Sequence, residues 1–119
     1  MISLTLPYPP TVNHYWGTSG KRRYIKPKGI QFRNDVIGIV AQNKANKNLS
    51  SRLRVNINAY MPDRRKRDLD NINKAIFDAL VHSGVMLDDD QIDIIHSERK
   101  AVIKNGKIEL VIIELKRGN

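Results

Sequence analysis

The chain of 119 residues is predicted to fold as an α+β domain, a mixed β-sheet with two helices packed on it, in the order β-α-β-α-β-β. Apolar and polar residues alternate over 2–6 and 53–61, a period typical of half-buried strands. Two longer segments carry apolar residues three or four positions apart, the spacing of an amphipathic helix. The length is that of a single domain, so residues 1–119 are treated as one unit.

The first half of the chain is predicted to contain two strands and one helix. The alternation over 2–6 and again over 53–61 predicts the strands. Between them, apolar residues at helical spacing predict a helix over 29–46. Residues 7–26 are predicted to form a long loop, because Pro9-Pro10 ends the first strand. Loops of this length are usually functional or mobile.

The second half is predicted to contain one helix and a hairpin. The helix covers 69–83 and ends before a glycine. Strands at 92–103 and 107–115 flank Asn105-Gly106, a dipeptide that strongly favours a two-residue hairpin turn. If the first three strands are parallel, two right-handed crossovers would join them, and the hairpin would supply an antiparallel edge. The strand order is not readable from the sequence. The end of the chain, from Lys116 on, is expected to be frayed.

The composition predicts a polyanionic partner. The chain carries 21 Lys and Arg against 12 Asp and Glu, a net charge of +9, so nucleic acid is the first candidate. No apolar run approaches the roughly 18 residues of a membrane span. The amino terminus lacks the pattern of a signal peptide, and there is no cysteine for disulfides or thiolate zinc sites. We therefore expect a cytoplasmic protein with no membrane partner and no small-molecule substrate.

Two acidic clusters stand out in this basic chain. Asp68-Leu69-Asp70-Asn71 directly follows the basic run Arg64-Arg65-Lys66-Arg67, and Leu87-Asp88-Asp89-Asp90 lies beyond the second predicted helix. Carboxylates beside the densest positive charge oppose phosphate binding unless a divalent cation lies between them. Lys74 is four residues after Asp70, which predicts that both lie on one helix face. The pattern indicates a metal-dependent nuclease in which the two clusters converge.

Each of these features also has a purely structural explanation. Asp68 is a suitable N-cap for the second helix, and Asp70 would then be stabilised by the helix dipole. The Asp88 cluster could be a solvated turn. An Asp70–Lys74 pair could be an ordinary surface ion pair. The three histidines match no metal-binding spacing and carry no prediction.

The same residues resemble the RusA family of Holliday junction resolvases, and the resemblance covers nearly the whole chain. At the amino end it rests on Leu6-Pro7-Tyr8-Pro9-Pro10 with Asn13 and Tyr15, and at the carboxyl end on Ile108-Glu109-Leu110. The most specific part is Met61-Pro62-Asp63-Arg64-Arg65-Lys66-Arg67-Asp68-Leu69-Asp70-Asn71, then Lys74, Phe77-Asp78-Ala79-Leu80 and Leu87-Asp88-Asp89.

The resemblance implies a homodimer that binds branched DNA, a four-way junction, and cuts two strands symmetrically with Mg²⁺ during recombination and repair. It implies Asp68, Asp70 and Asp89 as metal ligands, with Asp88 and Asp90 as competitors for the third position. Lys74 would be the essential cation at the scissile phosphate. The expected products carry 5′-phosphate and 3′-hydroxyl ends.

Candidate DNA contacts come from the basic and aromatic residues of the predicted loop and of the basic run. The aromatics would either stack on unpaired bases or pack against the sheet, and the basic residues would either bind phosphate or keep the protein soluble. Two other functions stay open, a less specific metal nuclease and a basic DNA-binding module without catalysis. The candidates are Arg64, Arg65, Lys66, Arg67, Lys21, Arg22, Arg23, Tyr15 and Trp16.

Overall fold

The computed structural model describes residues 1–116 and consists of a four-stranded sheet, a two-stranded ribbon and three α-helices. Two 3₁₀ turns, Leu69–Ile72 and Asp89–Gln91, precede α3 and β5. The elements are β1 (Ile2–Leu6), α1 (Val12–Tyr15), β2 (Trp16–Ser19), β3 (Arg22–Ile25), α2 (Pro27–Gln42), β4 (Leu53–Tyr60), α3 (Asn73–His82), β5 (Ile92–Arg99) and β6 (Lys107–Glu114).

The main sheet has the strand order β1-β6-β4-β5. β6 is antiparallel to both β1 and β4, and β4 is parallel to β5. The predicted mixed sheet is therefore confirmed, and β1, β4 and β5 run in one direction. The predicted hairpin is wrong, because β6 inserts between β1 and β4. Asn105 and Gly106 still form a turn with positive φ angles of 66° and 65°, but residues 100–106 carry the chain past β4 rather than back onto β5.

The predicted loop at 7–26 instead contains α1 and the ribbon of β2 and β3. These four-residue elements are too short to show a periodicity, and the ribbon turns at Gly20, which has a φ of 62°. The ribbon pairs only with itself, in register from Trp16 opposite Ile25 to Ser19 opposite Arg22. It forms a basic arm separate from the main sheet.

The core lies between the sheet and the helices. Alternate residues of β4 and β6 are buried, as the period of two predicts, and they pack with the buried faces of α2 and α3. The predicted helix at 69–83 begins as a 3₁₀ turn and becomes α-helical only from Asn73. No helix among the described residues is long and apolar enough to cross a bilayer. Apart from Lys116, the end predicted to be frayed lies outside the described range.

Candidate active site

Asp68 and Asp70 lie at the start of the 3₁₀ turn that leads into α3. Asp68 occupies the N-cap position, but its side chain makes no capping hydrogen bond. Both residues are exposed, and within residues 1–116 neither carboxylate accepts a hydrogen bond or pairs with a cation. The capping explanation for Asp68 is therefore not supported. Two neighbouring carboxylates without a counter-charge are available to a ligand.

These two carboxylates share a cavity of about 380 Å³ with Asn73, Ser97 and Arg99. Two oxygens there, Oδ1 of Asn73 and Oγ of Ser97, are buried and have no hydrogen-bond partner in the described part of the chain. Buried polar atoms are nearly always paired with protein, water or an ion. Two carboxylates, an amide oxygen and a hydroxyl are all hard oxygen donors of the kind Mg²⁺ prefers, so this residue set fits the predicted ion.

Lys74 and Asp89 line a second cavity, of about 490 Å³, together with Asp88. No residue that lines this cavity lines the one containing Asp68 and Asp70. The prediction that Asp70 and Lys74 lie on one helix face is wrong. A 3₁₀ turn has about three residues per turn instead of 3.6, so residues four apart across it are rotated away from each other.

The turn that carries Asp89 is fixed by the side chain of Gln91, which is only 6% exposed. Its Oε1 accepts hydrogen bonds from the backbone N–H groups of Leu87 (2.9 Å) and Asp88 (2.8 Å). Its amide group donates to the backbone oxygens of Leu49 (2.8 Å) and Ser51 (2.9 Å). Two of these hydrogen bonds therefore fix the shape of the segment, and the other two hold it against the loop before β4.

Asp88 has a structural role that separates it from Asp89. Its side chain accepts a hydrogen bond from the N–H of Asp90 at 3.0 Å and forms a capping box with Gln91. The carboxyl of Asp89 makes no such cap. Burial, followed by its interactions with Asp88 and Asp90, raises the pKa of Asp89. The capping role makes Asp88 the weaker competitor for the third ligand position.

The three predicted ligands thus do not meet within one chain. Among the described residues, no group of three or more His, Cys, Asp or Glu side chains is arranged to hold a metal ion. Asp68 and Asp70 are together, and Asp89 lies with Lys74. Within residues 1–116 of one chain, Asp89 therefore does not share a cavity with Asp68 and Asp70, and convergence of the three on one ion stays a prediction. The assignment of the individual ligands stays a prediction.

Lys74 is placed beside the only tryptophan of the chain. Its Nζ lies 5.4 Å from the centroid of the Trp16 ring, and the guanidinium carbon of Arg23 lies 4.5 Å from the same centroid. The Trp16 ring packs on Tyr15 at a centroid distance of 4.0 Å. Tyr15 is completely buried, so it is a core residue, and its assignment as a DNA contact is corrected. Trp16 is half-buried and remains a candidate.

Sequence reasoning missed the polar network beneath this aromatic pair. Asp78, on α3, accepts hydrogen bonds from Nε (2.8 Å) and Nη2 (3.0 Å) of Arg33 and from the hydroxyl of Tyr15. Burial alone would raise the pKa of Asp78, but these hydrogen bonds outweigh it, and the pKa is lowered. Burial and Asp78 raise the pKa of Tyr15. The only local signal at Asp78 is its i, i+4 spacing to His82. That spacing indicates an Asp78–His82 pair and not the contacts with Arg33 and Tyr15.

The basic run is partly neutralised by Asp63, a residue of the family motif whose ion pairs the sequence did not predict. Asp63 forms ion pairs with Arg67 (2.9 Å) and Arg65 (3.8 Å), and this lowers the pKa of its carboxyl. Arg64 and Lys66 are exposed and form no ion pair within residues 1–116. Of the four consecutive cations, these two are the most available to a DNA phosphate. On the ribbon, Lys21, Arg22 and Arg23 are likewise exposed.

Comparison with known proteins gives one consistent result. Residues 7–113 match the family model described as "Endodeoxyribonuclease RusA". A protein of Enterobacteria phage HK97 named crossover junction endodeoxyribonuclease rusA is 44% identical over 110 residues, which is 92% of each chain. Proteins of the same name from Shigella sonnei (strain Ss046) and Escherichia coli (strain K12) are 39% and 38% identical over 113 residues, covering 95% of this chain and 94% of theirs.

Proposed function

The chain belongs to the RusA family of endodeoxyribonucleases, and we propose that it is a crossover junction endodeoxyribonuclease that resolves four-way DNA junctions with Mg²⁺. The observation that carries the proposal is the extent of the family match, since residues 7–113 include Asp68, Asp70, Lys74 and Asp89. The net charge of +9 supports a DNA substrate. Paired nicks with 5′-phosphate and 3′-hydroxyl ends would suit recombination and repair, because ligase can reseal them.

We place the Mg²⁺ in the cavity formed by Asp68 and Asp70. The orphaned oxygens of Asn73 and Ser97 support an additional partner there, either the ion or its bound water. When bound, the ion would activate water and neutralise charge developing on the phosphate. The chain itself holds the two carboxylates on a short 3₁₀ turn. Arg99, fixed by a 2.6 Å hydrogen bond to the backbone oxygen of Arg67, adds positive charge to the same cavity.

We propose that the protein acts as a homodimer and that a second copy brings its Asp89 to this cavity. Leu87, which lines the same cavity as Asp89, and Ile95 on the next strand support an interface on this side of the chain, since they are large apolar side chains with exposures of 59% and 47%. Ile95 lies on β5, the edge strand of the sheet, whose outer side pairs with no strand in the described range. A two-fold dimer also presents one site to each of the two strands that are cut.

Lys74 is proposed to stabilise negative charge on the scissile phosphate. The face of Trp16 attracts its ammonium group and limits the positions it can adopt. A positioned cation contributes most when it is held in place before the charge develops. Asp89 lies in the same cavity, so the ligand and the cation approach the phosphate together.

The test of the function is incubation of the protein with a labelled four-way junction. We expect symmetrical nicks with Mg²⁺, no product with EDTA, and nicked duplexes that ligase reseals. Equal cutting of a linear duplex would indicate a less specific nuclease. Binding without any Mg²⁺-dependent product, at any protein concentration, would indicate a DNA-binding module.

The test of the ligands is the substitution Asp70→Asn. It should abolish cutting while junction binding is unchanged or tighter, because one negative charge near phosphate is removed. Asp35→Asn, an exposed carboxylate on α2, is the matched control and should cut normally. Wild-type cutting by Asp70→Asn would refute its assignment. Gel filtration should report a dimer, and a monomer at micromolar concentration would count against the two-chain site.

A further inference from the structure

A cavity of about 440 Å³ next to Asp68 has no role in the mechanism above. It lies between the connection that follows β1 and the 3₁₀ turn that carries the two proposed metal ligands. We infer that it binds an unpaired nucleobase from the branch point of the junction, an inference that rests on the proposed function. Its volume lies within the range of about 300–1,000 Å³ typical of small-ligand sites.

The residues that line the cavity can contact both the flat faces and the polar edges of a base. Tyr8, Pro10 and Ile72 supply flat or apolar surface, on which a base can stack because every base has a π-face. Asn13 and Asn71 supply side-chain amides, each with donor and acceptor atoms that match the edge of a base. Unpaired bases are recognised in this way, by stacking together with hydrogen bonds to their edges.

The cavity wall is preformed. The hydroxyl of Tyr8 donates a hydrogen bond to Sδ of Met61 at 3.1 Å, and the guanidinium carbon of Arg67 lies 5.7 Å from the Tyr8 ring centroid. Arg67 is itself held by Asp63 at 2.9 Å. A preformed wall lowers the ordering cost of binding, so a base can enter without rearrangement of the chain.

Asn13 and Asn71 are held in place through their backbone atoms, and their side-chain amides are available to a ligand. The backbone oxygen of Asn13 accepts a 2.7 Å hydrogen bond from Nζ of Lys26, and the N–H of Asn71 donates to the backbone oxygen of Asp68 at 3.2 Å. Both side chains are exposed and make no hydrogen bond within the described range. They are therefore positioned to read a ligand rather than to stabilise the fold.

Three charged side chains line the cavity, the cations Lys66 and Arg67 and the carboxylate of Asp68. Without Mg²⁺ the carboxylate would repel a phosphate beside it, and a bound ion would neutralise that repulsion. Lys66, which is exposed and unpaired within residues 1–116, can hold a flanking phosphate. A seated base would place an adjoining phosphodiester at Asp68, so that cutting would require a base that can leave its pair. This requirement would favour a branch point over intact duplex and would give the cut a sequence preference.

The test asks whether the effect of Asn71→Ala on junction binding disappears when the base that it would contact is removed from the DNA. Dissociation constants are measured in EDTA for junctions in which each branch-point nucleotide in turn is replaced by an abasic one. Asn71→Ala should weaken binding of the intact junction about fivefold, the equivalent of one hydrogen bond. When the abasic nucleotide replaces the base that enters the cavity, Asn71→Ala should weaken junction binding by less than about twofold.

Two further variants keep the result interpretable. Asn13→Ala should show the same dependence at the same nucleotide, whereas Asn34→Ala, an exposed position on α2, should bind every junction as wild type does. Thermal denaturation confirms that each variant is folded. Losses that are equal on intact and abasic junctions at every position, or no loss at all, would overturn the inference. A wild-type protein that cuts no junction would instead refute the proposed function.

Discussion

The network around Asp78 should contribute measurably to stability, and Asp78→Asn tests it. The asparagine keeps the shape, but it removes the charge and one of the two acceptors used by Arg33. Hydrogen bonds to charged groups contribute about 1.5–3 kcal/mol each. The side chains of Asp78 and Arg33 are each 21% exposed, so solvent screening reduces the total to roughly 2 kcal/mol. For a chain of this length the melting temperature should fall by about 8 °C.

The assay is thermal denaturation by circular dichroism at several pH values. The folded-state pKa of Asp78 is lowered, so its stabilisation is present above the unfolded value of about 3.9 and is lost as the pH falls through the folded value. The difference between wild type and variant should therefore be constant from about pH 5 to 7 and shrink below about pH 4. Asp35→Asn is the control and should change stability by less than about 0.5 kcal/mol. An unchanged melting temperature for Asp78→Asn at pH 7 would refute the reasoning.

Three other substitutions test separate parts of the structure. Trp16→Leu should lower kcat on junctions more than it raises KM, because Lys74 loses its cation–π contact. Trp16→Phe keeps an aromatic ring and should retain most of the activity. Equal losses of activity in the two variants would contradict this. Combined Arg64→Gln and Lys66→Gln should reduce the salt slope of junction binding by about two, and an unchanged slope would mean that neither contacts phosphate. Gly29→Ala should destabilise by roughly 1–3 kcal/mol, because its Cβ would lie 2.5 Å from a backbone oxygen of α1. Gly38→Ala, where a Cβ meets nothing within 4 Å, should be neutral or stabilising in the same melts, and equal effects at the two glycines would contradict the steric argument.

The sequence predicts only those parts of the fold that show a local periodicity of apolar residues. Alternation identifies the strands and the face that each buries, so β4 and β6 follow from their residues. The period of two does not say which strands are neighbours. The turn at Asn105-Gly106 was correctly located, but only the tertiary structure decides that β6 pairs with β4 instead of β5. The ribbon was missed because its strands have four residues each.

The candidate site was predictable as a set of residues but not as an arrangement. The two acidic clusters stand out in the basic chain, and the resemblance to the RusA family singles out Asp68, Asp70 and Asp89 within them. The 3₁₀ turn after Asp68 changes the rotation between Asp70 and Lys74. Residue types alone give little indication of whether a turn is 3₁₀ or α-helical. The partners of Asp78 are 45 and 63 positions away along the chain, so no local pattern could reveal them.

The separation of Asp89 from Asp68 could be closed either by movement of a loop or by a second chain, and the hydrogen bonds of Gln91 favour the second chain. Moving the Asp89 turn would break the three hydrogen bonds that tie it to the loop before β4, worth about 0.5–1.5 kcal/mol each, and would leave the buried amide nitrogen of Gln91 without partners. Association of two copies breaks none of them. It would also bury the exposed apolar surface of Leu87 and Ile95, which is favourable in proportion to the area removed from water. A site shared between two chains predicts that the specific activity falls as the protein is diluted below the dissociation constant of the dimer.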